Sequence, residues 1–177
     1  ASLNEDTVLS ADLNENIDGV SNLDDAVGED VDGNSVDVKN NLKSSKLAST
    51  YKFKNGNYST YFNASGNIIS GKLKSGDVLD FSGSFTGKTF IINIPLTLTS
   101  TDGTAKFTNC AFKFINGADG SLISNLDAKQ IKNQNSPIFA ASNVANLTFV
   151  NNVVFSNQTK SFPMSFSNVT GINVFNN

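Results

Sequence analysis

The 177-residue chain has no arginine, no histidine and no tryptophan, and only one cysteine and three prolines. Each absence excludes something. Without histidine the commonest general base and metal ligand is missing. Without arginine there is no planar fork for bidentate phosphate contacts, so nucleic acid is not expected as a partner. A single cysteine, Cys110, forms neither an intrachain disulfide nor a thiolate metal cluster. Its plain reading is a small apolar core residue, and the sharper one is an intermolecular disulfide. No apolar run approaches the ~18 residues that span a bilayer.

Acid is also scarce where chemistry would need it. Eleven of the sixteen Asp and Glu fall within residues 1–37, which hold no lysine. From residue 38 onward there are thirteen lysines against Asp77, Asp80, Asp102, Asp119 and Asp127. Such a split predicts an acidic tail on a folded body. Asp77 and Asp80 are three residues apart, so in a strand they face opposite sides rather than converging as an acid and base. Asp102-Gly103 and Asp119-Gly120 read as turns. No serine or cysteine has a candidate base beside it. The least poor catalytic pairing is Asp127 with Lys129 or Lys106. No catalytic residue, metal site or cofactor is predicted.

What is abundant is asparagine, the commonest residue type, together with phenylalanine, serine and threonine. Aromatic and β-branched residues suit pleated strands, and Asn and Gly suit tight turns. The class expected is all-β. Residues 1–47, rich in Asp, Asn and Ser with scattered apolar residues, are expected to be a disordered leader. Within them Asp30–Asn34 begins like a calcium loop, but Ser35 stands where the glycine belongs and Asn41 where the bidentate Glu belongs. Residues 39–74 hold seven lysines and no acid, dispersed rather than clustered.

The C-terminal third repeats itself. Ser142–Asn152 aligns without a gap on Ser167–Asn177. A repeat period of this size decides the architecture. Three series of strands can be laid out: Val78–Phe81, Ala105–Thr108, Lys129–Lys132 and Val153–Ser156; Thr89–Ile94, Ala111–Ile115, Pro137–Ala140 and Pro163–Phe166; Leu96–Thr99, Leu122–Asn125, Leu147–Val150 and Ile172–Phe175. This predicts a right-handed parallel β-helix of about four coils, each of ~25 residues. Residues 48–76 would cap its N-terminal end and residues 77–177 would form coils truncated at the C-terminus. Stacking would set Leu96, Leu122, Leu147 and Ile172 in one inward column, with Leu98, Ser124, Phe149 and Val174 in the next. Asn125, Asn143 and Asn168 would stack at the bends, where a left-handed backbone favours Asn. Sequons at Asn57, Asn63, Asn146, Asn157 and Asn168 are candidate glycosylation sites. They suit an exported protein, as does an opening at Ala1-Ser2 like that left by signal cleavage.

Tyr58–Phe62, then Lys72–Phe85 with its Gly76-Asp77-Val78-Leu79-Asp80-Phe81-Ser82-Gly83 core, then Phe90–Leu98, resembles the entry segment of adhesin-like surface proteins of methanogenic archaea. The resemblance covers residues 51–177. It implies an Asn-rich β-helix that is extracellular, displayed on the cell surface, non-catalytic and engaged in attachment to partner cells or surface glycans. It carries no catalytic residues over, and no wall or membrane anchor accompanies the match, which suggests the N-terminal module of a longer protein. The rivals are a carbohydrate-active β-helix enzyme, a passive spacer and a virus or phage fibre, which a trimeric state in solution would favour. Convergence of two body acids with a lysine in one groove would favour the enzyme.

Overall fold

The computed structural model describes the strands Val27–Glu29 and Ser35–Asp37, residues 47–132 and residues 135–177. The chain divides into two units, Ala1–Leu47 and Ala48–Asn177. In the first, Val27–Glu29 pairs antiparallel with Ser35–Asp37. The expected disorder of the remaining leader, and the calcium-loop-like Asp30–Asn34, lie outside the described residues.

The second unit is a parallel β-solenoid, as the repeat predicts. Sheet I stacks six strands: Thr50–Phe53, Val78–Phe81, Thr97–Thr99, Leu122–Ser124, Thr148–Val150 and Asn173–Phe175. Sheet II stacks Ser84–Thr86, Lys106–Thr108, Asp127–Gln130 and Val153–Ser156. Sheet III stacks Thr89–Ile92, Ala111–Phe114, Phe139–Ala145 and Met164–Thr170. Every pairing between these strands is parallel and joins one coil to the next.

The core explains the phenylalanine content. Ten of the fourteen are fully buried. Side chains at equivalent positions lie one strand spacing apart, close enough for rings to stack. Phe90, Phe112 and Phe139 form one such stack in sheet III, with centroids 4.8 and 5.1 Å apart. Phe85 and Phe107 form another in sheet II at 4.9 Å. Phe81 meets Phe107 edge-on at 5.2 Å and so joins sheets I and II.

Several expected registers are corrected. Val78–Phe81 belongs to sheet I, between Thr50–Phe53 and Thr97–Thr99, and Ser84–Thr86 takes its place in sheet II. Leu122 does not join the inward Leu96, Leu147 and Ile172. It pairs with Thr97 and Thr148 and faces outward, and Ser121 occupies the inward position instead. Likewise Ile123, not Ser124, stands with Leu98, Phe149 and Val174. A slip of one residue exchanges the two faces of a strand, and both Leu122 and Ile123 are apolar, so alternation alone does not choose between them. The buried Ser121 hydroxyl donates to the Ala118 carbonyl (2.7 Å) and accepts from the Leu96 amide (3.1 Å).

The bends use asparagine. Among the described residues, the non-glycine residues with positive φ are Asn109, Asn125, Asn143, Asn146, Asn151, Asn168 and Asn176. Asn143 and Asn168 stack, with Asn168 Nδ2 donating to Asn143 Oδ1 at 2.8 Å. Asn125 bends a different corner, in register with Asn151 and Asn176. The Asn-Asn pairs therefore divide their labour. Asn151 makes the turn, while Asn152 is buried, accepting from the Leu126 amide (3.0 Å) and donating to the Ile123 carbonyl (3.0 Å).

Residues 54–76 cover the first coil. The helical turn Tyr58–Tyr61 lays Tyr58 and Phe62 on Phe90, and Tyr58 Oη donates to the Thr89 carbonyl at 2.5 Å. Gly66 has φ 92° and fits where a Cβ would lie 2.6 Å from the Thr89 oxygen. Thr50–Phe53, placed by sequence in this covering segment, is itself the first strand of sheet I.

Candidate functional site: the outer face of sheet II

Register places two columns of side chains on the outside of sheet II. One runs Ser84, Lys106, Asp127, Val153, and the other Thr86, Thr108, Lys129, Phe155. Their alternates Phe85, Phe107 and Ala128 are buried, which fixes the polar set outward. Ser84, Lys106, Thr108, Asp127 and Lys129 line a groove of about 460 Å³. Lys106 Nζ lies 2.6 Å from Asp127 Oδ2, with both side chains partly exposed. Beyond the lysines the two columns end on apolar side chains, Val153 at 59% and Phe155 at 53% exposure.

The sequence offered Asp127 with either Lys129 or Lys106, and the structure pairs it with Lys106. Ser84, Thr86, Thr108, Val153 and Phe155 were not singled out. Their signal is the alternation in Ser84-Phe85-Thr86 and Lys106-Phe107-Thr108, which becomes informative only once the two strands are known to be neighbours.

The other body acids are structural. Asp77, fully buried, accepts from the Ser49 amide (2.8 Å) and the Lys74 amide (2.7 Å) and so ties the turn at Gly76 to the first strand. Asp80, also buried, accepts from Lys52 Nζ (2.5 Å), the Thr101 amide (2.9 Å) and the Thr101 hydroxyl (2.7 Å). Burial pushes the Asp80 carboxyl up, but the ammonium and the two Thr101 donors outweigh it and hold it below the usual range. Asp102 is lowered by the amide and hydroxyl of Thr104 and, more weakly, by Ser100. Hydrogen bonding to Asp80 and the charges of Asp80 and Asp102 raise Lys52 in turn. Asp80 on sheet I and Asp102 in the turn after Thr97–Thr99 thus both act on Lys52. Asp119 sits at a sheet III corner, accepting from the Ala145 amide at 3.0 Å.

Cys110 is buried, its Sγ within 3.6 Å of the Phe85 and Thr108 carbonyls, and burial raises its thiol above the ordinary range. That is the core role, and it places the sulfur out of reach of another chain. Of the sequon asparagines, Asn63, Asn146, Asn157 and Asn168 are exposed and Asn57 is half-buried. Asn57 and Asn63 spend their side-chain oxygens on the backbone amides of Lys54 and of Ser65 and Asn67. Asn157 accepts from the Gln158 side chain. Among the described residues no His/Cys/Asp/Glu group could hold a metal ion, and no helix is long and apolar enough to cross a membrane. Comparison with known protein families, curated proteins and solved structures finds no match to this chain.

Proposed function

We propose that the solenoid is an extracellular, cell-surface binding module that engages a glycan chain along the outer face of sheet II, and that it is not an enzyme. The observation that carries this reading is the pair of outward columns, in which every coil presents a polar or apolar pair at the same two positions. Strand spacing is ~4.8 Å, about the length of one sugar ring, so a polysaccharide lying along the solenoid axis meets roughly one coil per sugar. Hydroxyls and lysines suit sugar hydroxyls and carboxylates, and Phe155 offers a ring face for stacking. The resemblance of residues 51–177 to adhesin-like archaeal surface proteins supports display and attachment.

The whole chain, labelled and applied to a glycan array, is expected to bind polymeric rather than monomeric sugars. Lys129→Ala and Phe155→Ala should each weaken binding at least fivefold while the far-UV circular dichroism is kept. A clean negative on the array favours a passive spacer. The Lys106–Asp127 contact inside the groove favours one further reading, a polysaccharide lyase or glycosidase. Chain shortening of a bound polysaccharide, abolished by Asp127→Asn, would establish it instead.

A further inference from the structure

Charge is not spread evenly around the solenoid. Sheet I carries the ion pair of Lys52 with Asp80 on its first two strands, and no charged side chain on its other four. The strands of sheet III carry Lys113 alone. The strands of sheet II, with the corner residues that follow them at 87–88, 109–110 and 131–132, carry Lys88, Lys106, Lys129 and Lys132 against one acid, Asp127. Positive charge gathers on this side, and a face of one sign draws a polymer of the other sign from solution.

Within the sheet II groove the charges are ordered. Lys106 and Asp127 are column neighbours on adjacent coils, and Lys129 stands two residues from Asp127 on the same strand and the same side. The patch reads plus, minus, plus. Lys106 Nζ is bonded to Asp127 Oδ2, whereas Lys129 makes no ion pair among the described residues. Asp127 holds, on Lys106, the place that an acid group of a ligand would take. Both side chains of the pair are partly exposed, and a solvated ion pair of this kind is weak enough to be exchanged.

Resting on the glycan reading of this face, we propose that its ligand is an acidic polysaccharide, with carboxylate or sulfate on its sugars, and that Asp127 is a built-in competitor for that acid. Lys129 receives the first acid group. The next, about one strand spacing (~4.8 Å) along the axis, reaches Lys106 by displacing Asp127. A polymer charged on neighbouring sugars gains both contacts, and a neutral chain gains neither. Asp127 in this way sets a threshold of charge density below which the face does not hold its ligand. Lysine suits the task, since its ammonium meets either acid as a point charge, without the fixed geometry of a guanidinium.

Polygalacturonate and its methyl ester share one backbone and differ in charge, and dextran sulfate and dextran form a second such pair. The whole chain should bind at least one acidic polymer tenfold or more tightly than its neutral counterpart, and added salt should erase the difference. The pair that shows the preference identifies the acid group. Lys129→Gln should cut the preference to less than threefold. Asp127→Asn should tighten binding of the acidic polymer at least threefold, the opposite of the loss expected of a catalytic acid. Both variants should keep the far-UV circular dichroism. Equal binding of acidic and neutral polymers, or binding of neutral array glycans only, would overturn this inference and leave the glycan reading in place. Binding of neither pair and of no array glycan would overturn both. Unchanged or weaker binding in Asp127→Asn would remove Asp127 from the competitor role.

Discussion

Asp80 shows how a carboxylate bonded to a lysine can serve as architecture. It sits in the Gly76–Phe81 segment, three residues from Asp77, a spacing that argues against a converging acid and base. In the fold it is a buried acceptor with both oxygens occupied, and it ties Lys52 of one rung and Thr101 of the next turn to its own strand. Its folded-state affinity for protons is below that of the unfolded chain, near pKa 3.9. The stabilisation it provides is therefore present above the unfolded value and is lost as pH falls through the lower, folded one. Wild-type stability in urea is expected to be flat above about pH 5 and to drop below it, whereas Asp80→Asn should start lower and show a shallower acid limb. An acid limb of the same depth in both proteins would remove Asp80 from this role. Asparagine was the more legible residue type. Its excess pointed to left-handed bends, and positive φ is found at Asn109, Asn125, Asn143 and their equivalents. The stack of Asn168 on Asn143 was readable, but Asn125 does not join it, because Asn125 belongs to a different corner.

At the scale of the element, strands were legible and register was not. Two-residue alternation survives in Phe90–Ile92 and Phe112–Phe114, whose alternate members are buried. Coil length varies too much to extrapolate, however. Along sheet I the step from Thr50 to Val78 is longer than that from Thr97 to Leu122, and the step from Val78 to Thr97 is much shorter than either. A reading tuned to one constant period therefore moved Val78–Phe81 into the neighbouring sheet and overlooked Ser84–Thr86. The strand Leu122–Ser124 offers a sharp test, since its two apolar residues exchange roles between the expected and the observed register. Ile123, fully buried between Leu98 and Phe149, should cost about 2–4 kcal/mol on substitution by alanine. Leu122→Ala, on the outer face, should cost less than about 1 kcal/mol. Urea midpoints in the reverse order would restore the register predicted from the sequence.

For the whole molecule, the sequence announced a solenoid with a covering segment at its N-terminal end and left its outer face unspecified, because that face depends on which side chains fall at equal height on adjacent coils. A solenoid is held together by contacts between neighbouring coils, so its stability is a sum of local terms and fraying begins where a coil has one neighbour. The first and last described coils are not packed alike. The first coils are joined by rings in contact across Phe53, Phe62, Phe81 and Phe90, whereas Phe166 meets Phe149 at 5.6 Å and stands partly in solvent. Phe90→Ala should therefore remove about 3–5 kcal/mol and lower hydrogen-exchange protection chiefly in the first coils, in Thr89–Ile92 and the strands it packs against. Phe166→Ala should leave protection in Thr89–Ile92 and Ala111–Phe114 unchanged and loosen only Met164–Thr170 and Asn173–Phe175. Uniform loss of protection in Phe166→Ala would mean that the coils unfold as one cooperative block.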